Sequence, residues 1–386
     1  MKKLPLEYSF FLLYPLVLAL PLPLISSSIA LALGFMNVLV LNIVRGTLKS
    51  FVFKGLFNNI LIVFGVIVLS LDMLTYSVRS FGLEFFVRDV RVSFLIVPMM
   101  MWPIRNQIKN LKKYLLFSLV AGVLLYIIYA FCYLGYFYGS NMTSRRFEIS
   151  HYLIYDLRKN VPGIYHHTYI GMYMTFAIAI LLNYAKNKFR MFFLALAFFI
   201  LVNQVLFGSK LTLVLSLALV VFYTFKFVKA KLAPLLIVLV LGIVVLSTLV
   251  FKSGLVDSLS FSASNRIESW QCALTGFFEK PFLGHGNEAS VMYLEKCITT
   301  DAVSSHNQYL EEVLNYGLFG LWLPVFFAIL LLRPKKPILY TVLVLLFAVV
   351  SCFENTLSLQ RGVLFFTFFV SMLLFESGAD KVACAP

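Results

Sequence analysis

The chain has 386 residues, 61% hydrophobic and 13% charged, with a mean hydropathy of +0.92. A water-soluble chain carries about 25% charged residues, so the composition excludes a soluble enzyme and points to an integral membrane protein. A formal charge of +15 would suit nucleic acid, but its distribution along the chain excludes that partner.

A helix needs about 20 apolar residues to cross the hydrocarbon. Twelve stretches approach that length: 8–25, 27–44, 56–75, 90–104, 113–134, 167–184, 189–207, 211–228, 233–251, 316–332, 338–353 and 361–376. The weakest is 90–104, which holds Pro98 and Pro103; an earlier start would leave Arg88 and Arg91 facing protein or water. Met1-Lys2-Lys3 before the first stretch has the look of a signal peptide, but the charge pattern works only if that span is kept as an uncleaved anchor.

Basic residues give the direction. Lys2 and Lys3 fall on one side, followed by Arg45, Lys49 and Lys54, then Arg105, Lys109, Lys112 and Lys113. Lys186, Lys188 and Arg190 join them, as do Lys226, Lys229 and Lys231, then Arg333, Lys335 and Lys336, and finally Lys381. Every even-numbered connection is basic, so twelve spans with both termini cytoplasmic is self-consistent, and much of the positive charge is a topology signal. The expected fold is an all-α, single polytopic membrane domain over 1–386. Its abundant Phe (40) and Tyr (20) suit lipid-facing surfaces and interfacial belts.

The outer face then carries the long connections 76–89, 135–166 and 252–315. Segments that long are usually functional or disordered, and the third contains helix signals. Asn265-Arg266-Ile267-Glu268 is a variant capping pattern. It leads into an apolar stripe of Ile267, Trp270, Leu274, Phe277 and Phe278. Lys280-Pro281 and Gly284-His285-Gly286 end that helix, which is expected along the membrane surface with Arg266 in its first turn. Cys272 and Cys297 fall in the same loop; an oxidising compartment would permit a disulfide, and two unpaired thiols fit equally well.

Ser305-His306-Asn307-Gln308 has the form of a second capping box, which places His306 in the first turn of the following helix. Such a position attracts anions, and its positive end favours a neutral imidazole able to accept a proton. A guanidinium and an imidazole, each at a helix start, suit binding a phosphate while deprotonating a hydroxyl. Against this stand a solvated arginine and a capping polar residue. Tyr309, Glu311 and Glu312 are near enough to support His306, although exposed helix acids are common.

Gly208-Ser209-Lys210 lies where two spans meet on the outer side. Lys210 there either faces an anion or snorkels to the interface. His166 and His167, at the mouth of the sixth span, point in different directions on a helix, so at most one faces a given site; substrate contact and interfacial packing are both open. His285, between two glycines, reads as a turn residue. The His and Cys spacing supports no metal site, no cofactor is expected, and there is no nucleotide-binding fingerprint.

Taken together these residues resemble the O-antigen ligase and polymerase family of bacterial envelope enzymes. The match involves Gly208-Ser209-Lys210, Arg266 to Trp270, Pro281-Phe282-Leu283-Gly284-His285-Gly286, and His306-Asn307-Gln308-Tyr309-Leu310 with Gly317 eleven residues after the His. The resemblance implies a GT-C type glycosyltransferase in the bacterial inner membrane with its site facing the periplasm. Its donor would be a glycan on undecaprenyl pyrophosphate, and the acceptor of a ligase a lipid A–core sugar. His306 would be the general base of an inverting, metal-independent transfer. Arg266 and Lys210 would hold the pyrophosphate, although the family usually has Arg at the latter position. His166, His167, Tyr309 and Asn307 would be candidate substrate contacts. A polymerase of the same family differs only in acceptor, and a transporter or flippase is the reading from another class.

Overall fold

The computed structural model describes residues 17–22, 59–75, 91–102, 105–141, 167–185, 189–207, 209–227, 255–298, 304–334, 336–358 and 360–376, and every regular element among them is helical. Helices α1 (Ile60–Thr75), α2 (Ser93–Met101) and α3 (Arg105–Asn141) are followed by α4 (His167–Tyr184), α5 (Arg190–Phe207) and α6 (Lys210–Phe227). Next come α7 (Leu255–Glu279), α8 (Asn287–Cys297) and α9 (Gln308–Tyr316). A 3₁₀ stretch, Gly317–Leu321, leads into α10 (Trp322–Leu332), α11 (Ile338–Val350) and α12 (Gln360–Glu376).

Three helical segments among the described residues are long and apolar enough to cross a membrane: Leu111–Tyr133, Arg190–Phe207 and Gln308–Leu332. Shorter apolar helices are Ile60–Leu74, Lys210–Tyr223, Ile338–Val350 and Arg361–Leu374. The expected spans 27–44 and 233–251 lie outside the described residues, as does most of 8–25. The expected span 113–134 sits inside the longer α3, and the expected 316–332 is preceded by the extra helical turns of α9. The weak stretch 90–104 forms only the nine-residue α2, with Pro98 inside it.

The chain divides into two compact units, Met1–Leu41 with Leu111–Leu255, and Asn42–Asn110 with Val256–Pro386. In the first, α4 packs against α5 and α6 and is enclosed from Thr168 to Leu182. A polar cluster joins the three helices. Gln204 Nε2 and Ser216 Oγ donate to Thr175 Oγ1 at 3.0 and 2.8 Å, and Thr175 Oγ1 donates to Gly171 O at 2.8 Å. Between apolar helices in lipid, association depends on close packing and such interhelical hydrogen bonds. The other side of α5 leaves Phe192, Phe198 and Phe199 exposed, as a lipid-facing surface would.

In the second unit α2 packs between α1 and α12, and α11 packs against α10 and α12. Rings from all five meet: Phe64 and Phe326 have centroids 4.5 Å apart, Phe94 and Phe326 6.1 Å, Phe326 and Phe366 5.8 Å, and Phe347 and Phe366 4.8 Å. Phe94, Phe326, Phe347, Phe365, Phe366, Phe368 and Phe369 are all buried. The high phenylalanine content therefore corrects the lipid-facing expectation in part, because many of these rings fill the interior, where dispersion contacts add up.

Cys272 of α7 and Cys297 at the end of α8 are bonded, with Cα atoms 6.0 Å apart. The bond lies in a small core with Ala273, Leu294, Ile298 and Leu314. Closing a loop of 25 residues restricts the unfolded chain and contributes about 3 kcal/mol. Replacing both cysteines by serine is predicted to lower the thermal midpoint of the purified protein and to speed proteolysis between α7 and α8, as read by limited digestion. An unchanged digestion pattern would contradict this role.

Candidate active site

Arg266 does not start a helix. Leu255–Ser264 contains neither Gly nor Pro, so α7 begins at Leu255 and Arg266 stands in mid-helix. The carbonyl of Asn265 accepts a hydrogen bond from Ser269 Oγ at 2.8 Å. The face of α7 turned inward holds Ser269, Cys272 and Ala273, whereas Ile267, Leu274 and Phe278 of the predicted stripe are exposed.

His306 likewise precedes its helix. The cap of α9 is Asn307, whose Oδ1 accepts from the backbone N–H groups of Tyr309 and Leu310 at 3.0 and 3.2 Å. Asn serves at least as well as Ser in that role, and it displaces the expected Ser305 box. Ser305 Oγ instead donates to Glu311 Oε2 at 2.7 Å and accepts from Asn307 N at 3.3 Å. His306 has φ 49°, the only positive φ outside glycine among the described residues. Residues held in that region cost about 1–3 kcal/mol and persist where their surroundings over-determine them.

Both residues meet at Glu354, in the turn between α11 and α12. Its Oε1 lies 2.9 Å from Arg266 Nη2, and its Oε2 lies 3.5 Å from His306 Nδ1. Arg266 Nη1 also donates to Phe353 O at 2.6 Å. The carboxylate is 13% exposed, while Arg266 and His306 are 26% and 36% exposed. A recessed acid thus holds an imidazole and a guanidinium that both remain open to solvent.

The glycines of the sequence motifs fix how α7 meets α9. Gly284 and Gly317 adopt φ 67° and 60°, which L side chains rarely do. A Cβ on Gly284 would stand 2.4 Å from Asn315 O, and one on Gly317 would stand 2.5 Å from Pro281 O. This close approach lets Leu318 N donate to Pro281 O at 2.7 Å, and His285 N and Gly286 N to Leu314 O and Asn315 O at 2.9 Å each. The spacing from His306 to Gly317 therefore spans the cap Asn307 and the nine residues of α9. His285 is the turn residue expected, with Nε2 2.9 Å from Gly276 O and its ring 4.7 Å from that of Tyr293.

Behind α9 lies a buried ionic cluster that local sequence patterns do not signal. Arg91 faces protein. Its Nη2 is 2.7 Å from Asp72 Oδ1, its Nε 3.3 Å from Asp72 Oδ2, and its Nη1 donates to Glu312 Oε1. Tyr316 OH accepts from Arg91 Nη2 at 2.9 Å and donates to Asp72 Oδ1 at 2.5 Å. Gln308 Nε2 and Trp322 Nε1 each donate to Glu312 at 2.8 Å. The Tyr316 and Trp322 rings lie 5.8 and 5.6 Å from the guanidinium carbon. Glu312 is thus not the exposed helix acid of the sequence reading.

Tyr309 OH donates to Ala348 O at 2.8 Å, tying α9 to α11. Lys210 opens α6 in the first unit, exposed, and His167 opens α4 in the same unit; His166 lies outside the described residues. Among the described residues no group of three His, Cys, Asp or Glu could hold a metal.

Substituting Arg91 by Leu strands two buried carboxylates, and breaking a buried pair in this way costs about 3–5 kcal/mol. The expected result is loss of folded protein, read by thermal unfolding in detergent. Lys at that position restores charge without the two-pronged geometry and is expected to give an intermediate midpoint.

No curated protein matches the chain. Residues 192–325 match the family model described as O-Antigen ligase. The matched segment runs from within α5 into α10 and contains Arg266, Gly284, His306 and Gly317. It is this segment, which carries both the open guanidinium and the open imidazole, that is similar to the O-antigen ligase family.

Proposed function

We propose that the protein is a GT-C type ligase that moves a glycan from undecaprenyl pyrophosphate to a hydroxyl of a lipid A–core sugar. The observation that carries this reading is the pairing of His306 and Arg266 through Glu354, within or beside the matched segment. An imidazole takes a proton and a guanidinium grips a diphosphate, and the transfer needs both.

In this reaction the acceptor oxygen attacks the anomeric carbon while its proton passes to His306 Nε2. The bond from that carbon to the phosphate oxygen breaks on the opposite face, so configuration inverts. Undecaprenyl pyrophosphate leaves with the bonding electrons, and Arg266 offsets the charge that develops. A fixed cation in this place takes over the neutralisation that a divalent metal supplies elsewhere, so the proposed chemistry is metal-independent. The reading rests on Arg266 and His306 and does not draw on Lys210.

Two features support a site on the outer face of the inner membrane, with both termini cytoplasmic. The Cys272–Cys297 bond suits an oxidising compartment. The exposed Ile267, Leu274 and Phe278 of α7 suit a helix lying against the headgroup region.

The test is transfer by the purified protein from lipid-linked glycan, with EDTA present throughout. His306→Ala is expected to lower kcat by about 10²-fold or more, and Arg266→Ala to raise the donor KM by about tenfold or more. Activity that persists in a folded His306→Ala protein would remove the proposal. Product on a second lipid-linked glycan in place of lipid A–core would make the enzyme a polymerase, and ATP- or ion-driven lipid movement without product would make it a transporter.

A further inference from the structure

We infer that Glu354 is a positioning residue that orients His306 as the base and restrains Arg266 until a diphosphate takes the guanidinium over. The inference deepens the transferase reading and rests on it. Glu354 lies beyond residues 192–325, so the family match does not assign it.

The turn carrying Glu354 is cross-bonded to the segment carrying His306. Gln308 N donates to Ser351 O at 2.8 Å, and Gln308 Oε1 accepts from Leu357 N at 2.9 Å and Ser358 Oγ at 3.1 Å. Asn355 Nδ2 donates to Ser304 Oγ at 2.9 Å, and Ser304 Oγ in turn accepts from His306 N at 3.1 Å. Glu354 N donates to Val350 O at 3.0 Å and its own carbonyl accepts from Thr356 N at 3.0 Å. These bonds fix the turn that carries Glu354 and keep His306 in its positive-φ conformation, a kind of strain that clusters at functional sites.

One carboxylate faces two nitrogen groups. Its Oε2 lies 3.5 Å from His306 Nδ1, a placement that favours the hydrogen on Nδ1 and leaves Nε2 to meet the acceptor hydroxyl. Through Oε1 it engages Arg266. A diphosphate bears more charge than a carboxylate and competes for the same guanidinium face, while the bond from Arg266 to Phe353 O keeps the side chain in place. Once the donor has bound, the carboxylate's charge acts on His306, where the transferred proton arrives. Donor binding and base activity are thereby linked.

The experiment compares Glu354→Gln with wild type in the same transfer assay and titrates undecaprenyl pyrophosphate in detergent micelles by calorimetry. The expected result is a kcat lowered by about 10²-fold, with diphosphate affinity unchanged or several-fold tighter because its competitor is gone. A merely structural role would weaken binding and lower the thermal midpoint together. In a His306→Ala background Glu354→Gln is expected to cost less than about threefold more, since coupled residues are not additive. Full kcat in Glu354→Gln, or an equal loss in both backgrounds, overturns the inference. If the Gln variant does not fold, Glu354→Asp takes its place; it keeps the charge but shortens the reach, and wild-type kcat there also overturns it. A folded His306→Ala enzyme with wild-type turnover would instead sink the transferase reading, and this inference with it.

Discussion

A guanidinium buried away from water must be neutralised where it stands, and Arg91 sets that condition for the second unit. Asp72 supplies a two-pronged partner from α1, and Glu312 supplies the second from α9. Each carboxylate then needs further donors, found in Tyr316, Gln308 and Trp322. An ionic cluster of this kind adds little net stability compared with apolar packing, but it tolerates few arrangements. It holds α9 in one position against α1 and the approach to α2.

The helix so held begins two residues after His306, and Asn307 between them caps it. From the other end, Gly317 and the Pro281–Gly286 turn lock it to α7 by backbone hydrogen bonds. The disulfide ties α7 to α8 a few turns away. The placing of His306 near Arg266 is thus the product of three unlike constraints: charge in a dry interior, backbone fit at two glycines, and a covalent link. Glu354 is the point at which the two groups meet.

Much of this was legible in the chain. The apolar runs locate the helices because spanning segments must satisfy their own backbone hydrogen bonds; the expected 167–184 and the observed His167–Tyr184 coincide. Arg266, His306 and the glycine spacing were legible through the resemblance they carry. The two helix starts were misplaced for a local reason. Cap patterns such as Asn265-x-x-Glu268 and Ser305-x-x-Gln308 are common, and each lost to a competitor, an uninterrupted run from Leu255 in one case and Asn307 in the other. The ionic partners were illegible because Arg91 is 19 residues from Asp72 and 221 from Glu312. Glu354 stands 88 residues from Arg266, with no local pattern to mark it.

Helix α9, the 3₁₀ stretch and α10 follow one another without a break. His306 stands two residues before a single apolar segment, Gln308–Leu332. A spanning segment adjusts to hydrocarbon depth by tilting or by deforming the lipid around it. With that segment spanning as proposed, the height of the ring relative to the lipid would follow bilayer thickness, and acyl-chain length would become a physical variable for this protein.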